Sequence, residues 1–201
     1  MSKAIAKELL SIGAVVIRPQ EPFTWASGIK SPIYCDNRLT LSAPEARKKV
    51  ENGLAALILQ KFPQAQILMG TSTAGIAHAA IAGYLLGLPV GYVRGSAKTH
   101  GKKNRIVPGE RAVVVEDLIS TGGSALEVVD ALREAGADVL GTVSIFSYNM
   151  QKAEENFRRK DTVCYSLTNL DELAETAAGD GRIPKETIRQ VLAFRDSLSA
   201  G

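Results

Sequence analysis

The residues with the clearest chemical potential lie between positions 113 and 124. The apolar run 113–115 predicts a buried strand, and the acids Glu116 and Asp117 follow it directly. Ionised carboxylates only accept hydrogen bonds, so they suit the vicinal hydroxyls of a sugar better than a phosphate. The glycines and hydroxyls of residues 120–124 open a predicted helix, which suits a bound anion. The segment therefore indicates a sugar-phosphate site; a plain strand–helix turn with two solvated acids is the alternative.

A second candidate is the basic segment between Arg94 and Arg111, which includes His100. It holds six of the 24 basic residues and one of the 21 acidic residues, so the rest of the chain has 18 basic and 20 acidic residues. The net charge of +3 thus becomes −2 without this segment. Long loops in compact domains are commonly functional, and glycines at positions 95, 101 and 109 favour movement. We predict a mobile cationic lid for a polyanion, with a solvated basic loop as the alternative.

A third candidate is the loop formed by residues 70–75, in which Thr71, Ser72 and Thr73 lie between two glycines. Hydroxyls and backbone amides at a strand end suit an anion, although an ordinary capped helix start fits nearly as well. The glycine spacing is that of a Walker A loop, but Ile76 and Ala77 replace its Lys and Ser/Thr. No G-x-G-x-x-G pattern occurs, which argues against a dinucleotide-binding fold of the usual kind.

Composition places the chain among ordinary globular proteins. Its 201 residues fit one domain over 1–201, and 45% apolar with 22% charged residues argues against disorder. Cys35 and Cys164 show no metal-binding or redox spacing, so we expect reduced thiols and a cytoplasmic location. Residues 62–93 lack any charged side chain, but their glycines and prolines predict strand, helix and strand instead of a membrane span. His78 lies on that apolar helix and is predicted to be a core histidine with a partner.

The elements that must position these residues alternate along the chain. Short apolar runs predict strands, and they are separated by segments with helical periodicity. The predicted strands are 67–70, 90–93, 112–115, 139–146 and 163–167. A helix is expected over 74–86, and another is expected from Ser42, with Glu45 at capping-box spacing. This alternation predicts an α/β fold with an open, mostly parallel sheet, whose ligands bind beyond the carboxyl ends of the strands.

The segment from Val113 to Ser124 resembles the phosphoribosyl-pyrophosphate (PRPP) signature of the type I phosphoribosyltransferases. Residues 23–36, which read F-T-W-A-S-G-I-K-S-P-I-Y-C-D, resemble the N-terminal segment of the orotate-using branch of that family. Arg94 and the K-T-H-G sequence of residues 98–101 resemble its catalytic loop. The resemblance runs in order over nearly the whole chain.

The resemblance implies a role for each of these segments. Lys98, His100 and Asp117 would be catalytic, and Thr71, Ser72 and Thr73 would form the pyrophosphate loop. The implied PRPP-binding residues are Arg94, Lys98, His100, Glu116, Asp117, Leu118, Ile119, Ser120, Thr121, Gly122, Gly123 and Ser124. The implied orotate-binding residues are Ser27, Gly28, Tyr34 and Ser120.

The resemblance also implies an architecture and partners. The expected fold is the type I phosphoribosyltransferase fold, with an N-terminal hood segment and a flexible catalytic loop. The expected substrates are PRPP and orotate, and the expected cofactor is Mg²⁺ that arrives with pyrophosphate. No protein metal site is expected. The lid of one subunit would reach its partner's site in a homodimer, and neither a nucleic acid nor a membrane is expected as a partner.

Three positions depart from patterns seen in some members of the family. Ala26 and Ala74 stand where some members have lysine, and Tyr148 lies in a segment where some have an orotate-binding arginine. Two other functions therefore stay open. One is phosphoribosyl transfer to a purine or to uracil, and the other is PRPP sensing by a regulator without catalysis. The intact Lys98 and His100 argue against the regulator.

Overall fold

A five-stranded parallel sheet forms the centre of the protein in a computed structural model that describes residues 1–24, 28–93 and 106–199. Every pairing in this sheet is parallel, and the spatial order is β6-β5-β7-β8-β9. The strands are β5 (Ile67–Thr71), β6 (Val90–Val93), β7 (Arg111–Ile119), β8 (Asp138–Ser147) and β9 (Cys164–Asn169). The predicted fold class is confirmed.

The strand order places a crevice between β5 and β7. The chain passes from β5 outward to β6, and then returns to the other side of β5 to form β7. The two crossovers that follow β5 and β7 therefore leave in opposite directions, which opens a crevice at the carboxyl ends of these strands. Two of the three candidate segments, those after Thr71 and Glu116, meet at this crevice.

Helices cover both faces of the sheet, which explains why its strands are apolar along their whole length. Val113 and Val115 of β7 belong to the core beneath α1, α3, α4 and α7, whereas Ala112 and Val114 pack against α5. The helices are α1 (Ser2–Ser11), α2 (Leu39–Ser42), α3 (Pro44–Lys61), α4 (Ala74–Leu86), α5 (Gly123–Glu134), α6 (Gln151–Arg159), α7 (Leu170–Gly179) and α8 (Lys185–Ser199).

The N-terminal segment forms two small antiparallel sheets beside the main one. β1 (Val15–Ile17) pairs with β4 (Ile33–Cys35), and β2 (Phe23–Thr24) pairs with β3 (Lys30–Ser31). This is the region in which a hood was predicted. Residues 25–27 of its tip lie outside the described residues.

The uncharged stretch 62–93 forms β5, α4 and β6, as predicted, and α4 has the predicted bounds. No helix in the described ranges combines the length and the apolar character that a bilayer crossing requires. The prediction for the next helix towards the N-terminus was wrong. Ser42 ends α2, where its hydroxyl donates to the Leu39 carbonyl, and α3 begins at Pro44. Proline has a fixed φ and no N–H, so it starts a helix readily without a side-chain cap.

β7 is also longer than predicted. The sequence suggests that the strand ends at Val115, but pairing with β8 continues through Ile119. Its pairing with β5 stops at the Gly70–Val115 register position. Residues 116–119 therefore have a neighbouring strand on one side and the crevice on the other, which explains how a strand can present polar side chains to a ligand.

Candidate active site

Glu116 is the centre of a hydrogen-bond network that joins three elements. Its side chain is buried, with 5% exposure. Oε1 accepts from the Thr71 hydroxyl at 2.6 Å and from the Asp117 amide at 2.9 Å, and Oε2 accepts from the Ser124 hydroxyl at 2.9 Å. Both oxygens thus have donors from the protein, and hydrogen bonds to an ionised acceptor are the strong ones. The carboxylate links the ends of β5 and β7 to the first turn of α5.

Asp117 has a different environment from its neighbour. Burial, together with the close Glu116 carboxylate, raises the pKa of Asp117 to about 7, against a smaller opposing effect of His78. Burial in the same region, with Asp117 as an additional cause, raises the pKa of the Cys35 thiol, so Cys35 stays protonated. Perturbed carboxyl groups in a crevice are typical of functional sites. Asp117 therefore lies where a ligand that brings positive charge would favour its ionised form.

The turn after β7 presents small polar side chains to solvent at the start of α5. Ser120, Thr121, Gly123 and Ser124 are exposed, whereas Ile119 is buried beneath α5 and α6. Gly122 has φ +80°, and a Cβ there would lie 2.5 Å from the Phe157 ring, so this position requires glycine. The turn is therefore held close to α6, and the amides of the α5 N-terminus remain available to an anion.

The loop after β5 lies against the same network. Besides the Thr71 contact with Glu116, the Ser72 hydroxyl donates to the Val93 carbonyl at 2.6 Å. A Cβ at Gly75 would lie 2.3 Å from the Val115 carbonyl oxygen, so only glycine allows α4 to start this close to β7. Two of the three predicted hydroxyls, those of Thr71 and Ser72, thus donate within the protein, and the backbone of this loop lies beside the β7 end.

The N-terminal segment offers an aromatic surface. Tyr34 is 42% exposed, and its ring centroid lies 5.4 Å from that of Phe23. Gly28 has φ +84°, and a Cβ at this position would meet none of the described atoms within 4 Å. An exposed ring suits a planar ligand, and a glycine backbone allows close approach to its polar edges.

Asn37 connects this N-terminal segment to the strand that carries the acids. Its side-chain amide is 1% exposed and donates to the Asp117 carbonyl at 2.7 Å. The sequence pattern gave no signal for this residue. Four predicted site residues, Ser27, Arg94, Lys98 and His100, lie outside the described residues, so their positions stay predictions.

The capacity of the crevice to bind a metal depends on the donors present there. Among the described residues, no group of three or more His, Cys, Asp or Glu side chains is arranged to hold an ion. Both oxygens of Glu116 already accept from protein donors. The described side chains thus form no metal cage at the crevice, and His78 pairs with Glu51 in the core, as predicted. Both cysteines are free thiols.

Comparison with known proteins agrees with this geometry. The family profile described as a phosphoribosyl transferase domain matches residues 41–175, which include the β5, β7 and α5 segments of the crevice. Orotate phosphoribosyltransferase from Staphylococcus saprophyticus is 52% identical over 203 residues, covering 99% of this chain and 100% of that protein. The chain belongs to the orotate phosphoribosyltransferase family.

Further members of the orotate phosphoribosyltransferase family support the assignment. The Bacillus subtilis protein of that name is 52% identical over 199 residues, covering 97% of this chain and 92% of that protein. The crystal structure of the Aeropyrum pernix enzyme superposes with a TM-score of 0.76 at 28% identity, covering 87% of this chain and 98% of that one. The predicted family and the type I fold are confirmed.

Proposed function

We propose that this protein transfers the 5-phosphoribosyl group of PRPP to N1 of orotate. The products are orotidine 5′-monophosphate and pyrophosphate, as in pyrimidine biosynthesis. The observation that carries the proposal is the family match together with the crevice at the ends of β5 and β7, where Asp117 adjoins an anion-binding turn.

The two substrate groups of PRPP would occupy neighbouring parts of this crevice. Asp117 would accept hydrogen bonds from the ribose hydroxyls, because a carboxylate is an acceptor when ionised. The amides of residues 120–124 and the Thr121 hydroxyl would donate to the 5′-phosphate at the positive end of α5, while the Ser124 hydroxyl donates to Glu116. Glu116 was predicted to contact ribose as well, and its three protein donors leave one acceptor position on Oε2 for such a contact. We propose that Glu116 also supports the loop.

Pyrophosphate is the leaving group and gains negative charge as the C1′–O bond breaks. The loop of residues 71–73 would bind it at the end of β5 through backbone amides, because the Thr71 and Ser72 hydroxyls already donate within the protein. Arg94, Lys98 and His100 would add positive charge when the lid closes, which stabilises the departing charge away from water. The ribose carbon becomes cationic in the same step, and ionised Asp117 would stabilise that charge. Positioning and electrostatics thus account for most of the catalysis.

Orotate would bind between the N-terminal segment and the turn after β7. Tyr34 offers its exposed ring to the pyrimidine, and the backbone at Gly28 can donate to a carboxylate or carbonyl. Ser27 and Ser120 are the further predicted contacts. The Asn37 contact with the Asp117 carbonyl keeps this base segment adjacent to the ribose site.

Mg²⁺ would enter with the pyrophosphate of PRPP and would neutralise part of its charge. Mg²⁺ keeps several waters and is commonly bound through substrate phosphates, so it does not need a dedicated protein cage. The donors at the crevice fit this mode of binding, because the proposed phosphate contacts are backbone N–H and hydroxyl donors, and no group of described acids forms a cage for the ion.

A homodimer with shared active sites is also part of the proposal. β6 is an edge strand of the main sheet, and it leads into the lid at Val93. The exposed side chains Tyr84 and Leu85 lie on α4, and the exposed side chains Val90 and Tyr92 lie on β6. Such a surface suits a second copy of the chain, whose site the lid would reach. We further propose that residues 1–201 form one domain, since the main core includes residues of both α1 and α8. We also propose a cytoplasmic location, which the two free thiols support.

The decisive experiment is a PRPP-dependent assay that compares orotate with uracil, hypoxanthine and adenine. We expect orotidine 5′-monophosphate to form with orotate and no nucleotide to form with the other bases. A preference for another base would overturn the proposed acceptor, and PRPP binding without turnover of any base would indicate the regulator.

A pair of lid variants tests the assigned cations. Lys98→Ala is expected to lower turnover by orders of magnitude. Lys102→Ala removes the same charge four residues away and is expected to have a much smaller effect. Equal losses in the two variants would assign the effect to the net charge of the lid instead of to Lys98.

A further inference from the structure

Two asparagine side chains donate to backbone carbonyls at opposite ends of the segment 117–121. The first is Asn37, whose Nδ2 donates to the Asp117 carbonyl at 2.7 Å across 80 residues of sequence. Its Oδ1 accepts from the Cys35 thiol at 3.5 Å, which orients the amide so that its N–H points to Asp117. The raised pKa of Cys35 keeps the thiol protonated and so preserves this donor.

The second asparagine is Asn156 on α6. Its Nδ2 donates to the Thr121 carbonyl at 2.9 Å, and its Oδ1 accepts from the Arg159 guanidinium at 2.8 Å. Arginine only donates, so its contact fixes which end of the Asn156 amide faces Thr121. Phe157, the next residue, packs against Gly122 on the same turn. The α6 helix therefore holds the turn by one directed hydrogen bond and one close apolar contact.

We propose that Asn37 and Asn156 are positioning residues that set the two ends of this segment independently. Asn37 fixes the end that carries Asp117, and Asn156 fixes the end whose amides lead into α5. The inference rests on the proposed function, in which these ends bind the ribose and the 5′-phosphate of PRPP. Neither asparagine needs to touch the substrate, because each acts through the backbone of the segment.

The geometry predicts different kinetic effects for the two residues. The 5′-phosphate is remote from the bond that breaks, so its binding contributes equally to the ground state and the transition state. Loss of the Asn156 contact should therefore raise KM for PRPP and leave kcat unchanged. Asp117 faces the part of the sugar where positive charge develops. Loss of the Asn37 contact should therefore lower kcat more than it raises KM.

The first arm of the test uses Asn156→Ala and the isosteric Asn156→Asp. Asn52→Ala is the matched control, since the Asn52 amide also donates to a backbone carbonyl, that of Lys48, but on α3. We expect both Asn156 variants to raise the PRPP KM, and the Kd for PRPP measured by calorimetry, by about 3- to 10-fold, the value of one hydrogen bond. Their kcat should stay within about twofold of the wild type, and Asn52→Ala should match the wild type in all three constants.

The second arm uses Asn37→Ala and the milder Asn37→Ser, because Asn37 is fully buried. We expect kcat to fall by about 3- to 10-fold or more, with a smaller change in the PRPP KM. Thermal unfolding identifies variants that do not fold, and Asn37→Ser then supplies the measurement. The inference would be overturned if the Asn37 and Asn156 variants changed kcat and KM in the same proportion as each other. It would also be overturned if both sets of variants matched the Asn52 control.

These outcomes are distinct from failure of the proposed function. Calorimetric PRPP binding by the wild-type protein is independent of the acceptor base. Wild-type protein that binds PRPP but transfers to a base other than orotate overturns only the acceptor, and the Asn156 arm still applies. Wild-type protein that does not bind PRPP overturns both.

Discussion

Two buried glutamates show how differently one side chain can be used in the same protein. Glu116 at the end of β7 is 5% exposed, and Glu51 in α3 is 1% exposed. Glu116 accepts from three donors on β5, β7 and α5. Glu51 pairs with one residue, His78 of α4, at 2.6 Å. Its Oε2 and the Nε2 of His78 have no hydrogen-bond partner among the described residues.

The difference shows what each carboxylate does for the fold. A buried charge is costly unless its lone pairs are satisfied, and Glu116 meets that condition. Its network places the loops after β5 and β7 side by side, so the site exists before a substrate arrives. In the Glu51–His78 pair, Oε1 and Nδ1 bond to each other, whereas Oε2 and Nε2 have no partner among the described residues. The pair joins α3 to α4 behind the site, and each partner depends almost entirely on the other.

The largest expected loss of stability is that caused by Glu51→Leu. The substitution leaves His78 buried without its partner, so we expect the free energy of unfolding to fall by about 3–5 kcal/mol. Urea denaturation measures this change. The double variant Glu51→Leu/His78→Leu removes both polar groups and is expected to recover most of the loss. A double variant as unstable as the single one would show that the pair itself is not the source.

A smaller effect is expected for Glu116→Gln. Glutamine keeps an acceptor for Thr71 and the Asp117 amide, and the Ser124 hydroxyl can rotate to accept from the new amide. Only the extra strength that the negative charge gives to these hydrogen bonds is lost, so we expect the free energy of unfolding to fall by about 1–2 kcal/mol. Ser124→Ala removes one donor and should cost less than Glu116→Gln. A loss as large as that of Glu51→Leu would contradict the contrast between the two glutamates.

An effect of similar size but opposite sign is expected for Asp117→Asn, and it depends on pH. The pKa of Asp117 is raised in the folded protein, so folding favours its protonated form. Wild-type stability therefore falls as pH rises from about 4 to about 7, and the variant lacks this loss. We expect the Tm of the variant to gain roughly 2–5 °C over the wild type across that window. Its affinity for PRPP should fall, because an amide replaces the proposed acceptor of the ribose hydroxyls.

Asp36→Asn is the control of opposite sign. The hydrogen bonds from Arg38 lower the pKa of Asp36, so its ionised form stabilises the folded state. That contribution is present above the ordinary pKa and is lost as pH falls through the lowered one. Asp36→Asn should therefore reduce Tm slightly at pH 7 and not at low pH. If the Tm of both variants changed with pH in the same direction, the net charge of the protein would dominate over the individual surroundings of Asp117 and Asp36.

Local signals predicted the helices and strands whose ends are marked by glycine or proline. Gly87 and Pro89 follow the apolar periodicity of α4, and the helix has the expected bounds. Ser42 was misleading, because a capping pattern competes with a proline at the first helical position. The end of β7 was also misplaced, since polar residues normally mark the end of a buried strand. Here pairing with β8 extends the strand past Glu116.

The sequence by itself determined the fold class, the family and the chemical types in the site. The reason is that apolar periodicity and the residues 116–124 are local patterns, readable within a short window. Only the tertiary structure decided which groups meet. Strand order brought Thr71 to Glu116 across 45 residues, and packing brought Asn37 to Asp117 across 80. Such pairings depend on how helices and strands pack after the chain has folded, which no local spacing encodes.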